Sequence, residues 1–149
     1  DIRSDAMAPL LETEKKILAT IDESVAEENR RWNVDTLSAS ARLIGDRPGG
    51  MTPASSAIVE TAVRANTAFG QQTLLSGAST DANVPMSLGI PTIVIGGGGK
   101  TGGFHALGEW IDVTEAWKGA QNSLVTVLGL VGVQGVSQPL LEKRPPRSR

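Results

Sequence analysis

Cysteine and tyrosine are absent from the 149-residue sequence, and histidine occurs once, at His105. Without cysteine there is no disulfide and no thiolate ligand, so any metal ion must be held by nitrogen or oxygen donors. The same lack fits a reducing cytoplasm, the expected location. Charge of one sign is also lacking. Fourteen basic residues face sixteen acidic ones, interspersed to a net charge of -2, so no field marks a nucleic acid or an anionic membrane, and neither is an expected partner. No long hydrophobic run occurs: the stretch Leu124 to Val136 is broken by Thr126, Gly129, Gly132, Gln134 and Gly135, too short and interrupted to span a bilayer. No signal peptide is seen, yet the chain opens on Asp1-Ile2-Arg3 rather than methionine, and a fragment or processed product is expected.

With 40% hydrophobic residues and only five aromatics (three Trp, two Phe), the chain can build one core of ordinary size but not two large domains. Asp1-Ile2-Arg3 reads as the end of a half-exposed strand. From Pro9, apolar residues Leu10, Leu11, Ile17, Leu18, Ile21 and Val25 recur at helical spacing against Glu12, Glu14, Lys15, Lys16 and Glu23, which predicts an amphipathic helix ending near Asn29. Trp32 to Ile44 alternates loosely and predicts a strand leaning on that helix. The turn Gly45-Asp46-Arg47-Pro48-Gly49-Gly50 marks a domain boundary.

Beyond it, Thr52-Pro53 predicts a capped helix with Ile58, Val59, Ala62, Val63 and Phe69 buried, ended by Gly70. Gln72 to Leu75 predicts a short strand. Asp81 is placed to cap a brief helix containing Pro85 and closed by Gly89. Pro91 to Ile95 predicts a fully buried strand, since Ile93, Val94 and Ile95 show no alternation. Thr114 is placed to cap a last helix with the stripe Trp117, Leu124, Leu128 and Val131. Residues 134–149, with three prolines and four basic residues, are expected to be disordered.

Chemistry concentrates between Ser76 and Asp112: a small polar cluster, an apolar run, four glycines and the lone histidine. Gly99-Lys100-Thr101 is no phosphate loop, because Val94 stands where that pattern needs glycine. Gly97, Gly99 and Gly102 satisfy G-x-G-x-x-G, but no uninterrupted helix and second parallel strand follow, so dinucleotide binding is set aside. The glycines are expected to let the backbone turn left-handed and to let a substrate approach closely.

The run Ser79-Thr80-Asp81-Ala82-Asn83-Val84-Pro85, then Leu88-Gly89-Ile90-Pro91, then Gly96 to Gly99, then His105-Ala106-Leu107-Gly108-Glu109-Trp110-Ile111-Asp112 resembles the carboxy-terminal part of the co-catalytic di-zinc peptidases. This family, peptidase family M-twenty, includes acetylornithine deacetylase, succinyl-diaminopimelate desuccinylase, glutamate carboxypeptidase and the tripeptide aminopeptidases. The resemblance covers roughly positions 1 to 133. It implies an α/β class: residues 1–51 as the end of an α+β lid and dimerisation domain, and residues 52–133 as the carboxy-terminal part of a mixed-sheet catalytic domain.

The resemblance also implies roles. His105 falls on the last zinc ligand; Arg3 and Arg47 fall on lid arginines that bind substrate carboxylate, a task suited to a planar guanidinium. Thr80, Asp81 and Asn83 fall on the loop lining the substrate cleft. Glu109 and Asp112 are read as structural. Two zinc ions sharing a water would hydrolyse an amide bond in a small peptide or N-acyl amino acid. The remaining ligands and the proton-carrying glutamate belong to the family's amino-terminal half, so the isolated chain is expected to be inactive and to need that missing part of the same enzyme. A homodimer through the lid is implied. A sheet without its amino-terminal strands would expose apolar surface around Ile93 to Ile95, and self-association is expected. The alternative is a dimerisation module of the same descent that has lost the chemistry.

Overall fold

The computed structural model describes residues 1–142. It is mixed helix with one small antiparallel sheet among the described residues: helix α1 (Met7–Trp32), helix α2 (Ala57–Ala68), helix α3 (Asn83–Ser87), strands β1 (Lys100–Gly102) and β2 (Trp110–Asp112), and helix α4 (Trp117–Val131). The chain divides into two compact units. One comprises Asp1–Met51 with Gly77–Ile90, the other Thr52–Ser76 with Pro91 onward. A division falls between 51 and 52, and Gly77–Ile90 groups with the first 51 residues.

In the first unit, α1 runs three residues past its expected end. Asn33 then takes the left-handed conformation (φ 49°) that asparagine tolerates, and the N–H of Val34 closes on the Asn29 carbonyl at 3.0 Å. Arg30 and Arg31 in the last turn complement the negative end of the helix dipole. Pairs Glu12–Lys16 and Glu28–Arg31 support the exposed faces, each worth about 0.3–0.5 kcal/mol. None of the 26 residues of α1 is buried.

The strands expected at Ile2 and over Trp32–Ile44 do not form. A strand needs a neighbouring backbone to bond with. The segment after α1 is held to it instead at one point, where the Asn29 amide donates to the Leu37 carbonyl (2.9 Å) and accepts the Leu37 N–H (3.0 Å). The chain then returns to the start of α1: Gly49 is buried against the Ala6 backbone, and its N–H donates to Met7 Sδ at 3.1 Å.

In the second unit, α2 begins four residues after Pro53, following a turn in which the Ser56 N–H meets the Pro53 carbonyl. Thr52 does not cap it. Its hydroxyl accepts the Thr92 N–H (2.9 Å) and donates to the Thr92 carbonyl (2.6 Å), the two bonds a neighbouring strand would have made. Gly70 (φ 68°) ends the helix as its sequence position indicates. The strands expected at Gln72–Leu75 and Pro91–Ile95 do not form, and Val94, expected to be buried, is 65% exposed.

Helices α2 and α4 pack on each other. Their contact buries Val59, Ala65 and Leu130 and carries a polar network. The Asn122 amide donates to Asn66 Oδ1, the Asn66 amide donates to Thr73 Oγ1 (2.8 Å), and the Thr126 hydroxyl donates to Asn122 Oδ1. The face α4 buries is thus Gly119, Asn122, Thr126 and Leu130. The stripe expected inside, Trp117, Leu124, Leu128 and Val131, is exposed. The reason is close approach: Gly119 lies on the backbone of Gly97 and Gly98, where no side chain fits, and Gly129 lies against the Thr61 methyl. Small residues let backbones meet, and the larger apolar residues are left outside.

Of the tail expected to be disordered, residues 134–142 are described. Val133 bridges Ser137, and the N–H groups of Leu140 and Leu141 return to the Leu130 carbonyl at 2.9 and 3.2 Å. The rest of that tail, residues 143–149, lies outside the described residues.

Candidate functional site

In the first unit a cleft of about 640 Å³ is lined by Arg3, Asp46, Arg47, Gly77, Ser79 and Asn83, among others. Its geometry starts with the Arg47-Pro48-Gly49-Gly50 turn. Gly49 sits against Ala6 and Gly50 against Met86 and Ser87, contacts only glycine allows. Arg47 is thereby carried on a fixed stretch of backbone. Its guanidinium donates to Ser79 Oγ (3.2 Å) and Asp81 Oδ1 (3.3 Å). Arg3 also holds a carboxylate: its Nε and Nη2 donate to Asp1 Oδ2 at 2.9 and 2.6 Å.

The loop bearing Thr80, Asp81 and Asn83 is bonded internally. The Thr80 N–H donates to Asn83 Oδ1 (2.9 Å), and the Ala82 N–H donates to Thr80 Oγ1 (3.3 Å). Asn83 is buried. Asp81 is not the side-chain cap of α3; its carboxylate turns to Arg47 instead. Three residues singled out from the sequence, Arg3, Arg47 and Asn83, therefore line this cleft, Asp81 is bonded to Arg47, and Thr80 braces the loop. Ser79 is an addition. Its contact with Arg47 spans 32 residues, a relation without a local sequence signal.

His105 lies in the second unit, in the turn joining β1 to β2. The strands pair Lys100 with Asp112, Thr101 with Ile111 and Gly102 with Trp110. This hairpin was not foreseen from sequence. The Trp110 indole covers Gly102. The turn closes through Ala106 N–H to Gly103 O and Glu109 N–H to Ala106 O, both 3.1 Å. Between those bonds His105 takes φ 61°, a left-handed conformation uncommon outside glycine. Its side chain is exposed and has no hydrogen-bond partner among the described residues.

At the other end of the hairpin, Asp112 Oδ1 accepts the Thr114 hydroxyl (2.6 Å) and the Thr114 N–H (2.9 Å). These bonds, hydroxyl first, hold its carboxyl below the usual carboxylate range, with Lys100 across the ladder adding to them. Thr114 thus braces the approach to α4 rather than capping it; the cap position is Ala116.

The glycine run takes the left-handed backbone expected of it at Gly98 and Gly99, and packs closely there. Gly98 (φ 85°) lies against Ala116 and Gly119, and Gly99 (φ 78°) against the Asp112 carbonyl. The close approach these glycines permit is to the chain's own backbone.

Among the described residues no group of three or more His, Asp or Glu side chains is arranged to hold a metal ion. His105 offers one nitrogen donor, which is not a metal centre. Nor is any described helix long and apolar enough to cross a membrane. No protein-family model and no curated protein matches the sequence.

Proposed function

We propose that this chain is the carboxy-terminal portion of a cytoplasmic zinc-dependent metallopeptidase or amidohydrolase of the co-catalytic di-zinc type, acting on small peptides or N-acyl amino acids. The carrying observation is the order of the motifs. A polar loop at Ser79 to Asn83 is followed by the glycines Gly96 to Gly99 and then by a solvent-facing His105 whose ring nitrogens have no partner among the described residues. Arg3 and Arg47 on one cleft favour a substrate with a free carboxylate.

Zinc in such enzymes activates water for attack on an amide. The residues of this chain do not compose that centre, so no catalytic step is assigned to them, and the chain by itself is expected to hydrolyse nothing. The other ligands and the proton carrier would come from preceding sequence, as would strands to pair with Pro91–Ile95. Exposed apolar surface supports such a larger body. Among the described residues thirty large apolar side chains are exposed, against four buried apolar residues, Val59, Ala65, Ala82 and Leu130.

The test is metal content and turnover of the complete protein, extended upstream of Asp1, beside its His105→Ala variant. Lower zinc content and lost hydrolysis of an N-acyl amino acid are expected from the variant. Unchanged zinc and turnover would refute the assignment.

A non-catalytic dimerisation module is the second reading. Helix α1 favours it, because Leu11, Leu18, Val25 and Trp32 recur every seventh residue and none is buried. A zinc-free, inactive complete protein that is dimeric by light scattering would select it.

A further inference from the structure

Both guanidinium groups associated with the cleft already hold a carboxylate that belongs to the chain. We infer that Asp81 is an internal stand-in for the ligand carboxylate: it occupies Arg47 when the cleft is empty and leaves when an anionic ligand enters. The inference rests on the carboxylate-binding role proposed above for Arg47, and it gives Asp81 a different part from that of a substrate contact.

Three observations carry it. First, the pair is built to part. The Asp81 side chain is 101% exposed while Arg47 is 46% exposed, and their one contact is 3.3 Å, long for a charge-assisted bond, which closes to about 2.7–2.9 Å. Water therefore already solvates the carboxylate, and its release costs little.

Second, release needs no movement of backbone. The Asp81 carbonyl accepts the Val84 N–H, and its neighbours are fixed by the bonds of Thr80, Ala82 and Asn83. A rotation of the side chain is enough.

Third, what remains is a matched receptor. Arg47 keeps its position on the Gly49–Gly50 turn. Ser79, which accepts from Arg47, has a hydroxyl hydrogen with no acceptor among the described residues. A ligand carboxylate replacing Asp81 would take two parallel bonds from the guanidinium and a third from Ser79, where Asp81 takes one. The ligand class follows: a carboxylate on a short, flexible body, small enough for the cleft.

The experiment titrates the full chain with succinate by calorimetry, with uncharged succinamide as control. Asp81→Asn is expected to tighten succinate binding roughly two- to fivefold, the scale of one exposed ion pair. Asp46→Asn removes the same charge from the same cleft and has no bond to Arg47, so a distinctly smaller gain is expected. Ser79→Ala is expected to weaken binding, Arg47→Ala to abolish it, and succinamide to bind none of them.

If Arg47→Ala abolishes binding but Asp81→Asn gains no more than Asp46→Asn, the stand-in inference falls and the arginine site survives. If Arg47→Ala binds succinate as the unaltered chain does, or no form binds it, the arginine site falls too.

Discussion

Helices α1 and α4 carry the same kind of signal in sequence, an apolar stripe at helical spacing, and end in opposite situations. None of the 26 residues of α1 is buried, whereas α4, with 15 residues, buries four. Periodicity reports which face of a helix is apolar. It does not report whether anything covers that face. In α4 the covered face is the one where glycines allow backbone-level contact and where Asn122 finds Asn66. Leu124 and Leu128 face outward like Leu11 and Leu18 of α1.

The contrast is broken most directly by truncating one leucine in each helix. Leu130→Ala, at 7% exposure, is expected to cost about 2–4 kcal/mol from lost burial and the cavity left behind. Leu18→Ala, at 41% exposure, should cost under about 0.5 kcal/mol. Urea unfolding of the full chain measures both, and equal losses would erase the distinction.

A smaller effect sharpens the reason for it. In a free helix Gly→Ala gains about 1 kcal/mol. Gly119→Ala is instead expected to lose about 1–3 kcal/mol, because the added methyl meets the backbone of Gly97 and Gly98. A gain would mean that the glycine loop does not rest on α4.

Smallest of all is the brace at the hairpin. The folded Asp112 carboxyl titrates below its unfolded value, so its contribution to stability is present above about pH 4 and fades as the pH falls through the folded value. Thr114→Ala removes the hydroxyl bond, the largest cause of that lowering, and leaves the backbone bond and Lys100 in place. In an NMR titration the Asp112 midpoint should rise toward the ordinary carboxylate value; an unmoved midpoint would show that the Thr114 hydroxyl is not responsible.

How much was legible in the sequence follows from what each signal depends on. Local signals served well: the spacing from Leu10 to Val25 and the stop at Gly70 are written within a few residues. The expected strands failed at Trp32–Ile44, Gln72–Leu75 and Pro91–Ile95 because strand formation depends on a second segment, and apolar composition cannot say whether one is at hand. The small hairpin was missed for the converse reason. Lys100–Gly102 and Trp110–Asp112 are only three residues each, too short to show an alternation, and they pair because the turn around His105 brings them together. Of the cleft, the family resemblance singled out the arginines and Asn83 but gave Ser79, in the same run, no role, since its partner lies 32 residues away.

The return of Leu140 and Leu141 to the Leu130 carbonyl has a practical corollary. Shortening the protein at the apparent finish of α4 would strip two donors from that helix's last turn and leave Leu130 less sheltered. A truncation meant to spare that contact must therefore keep Leu140 and Leu141.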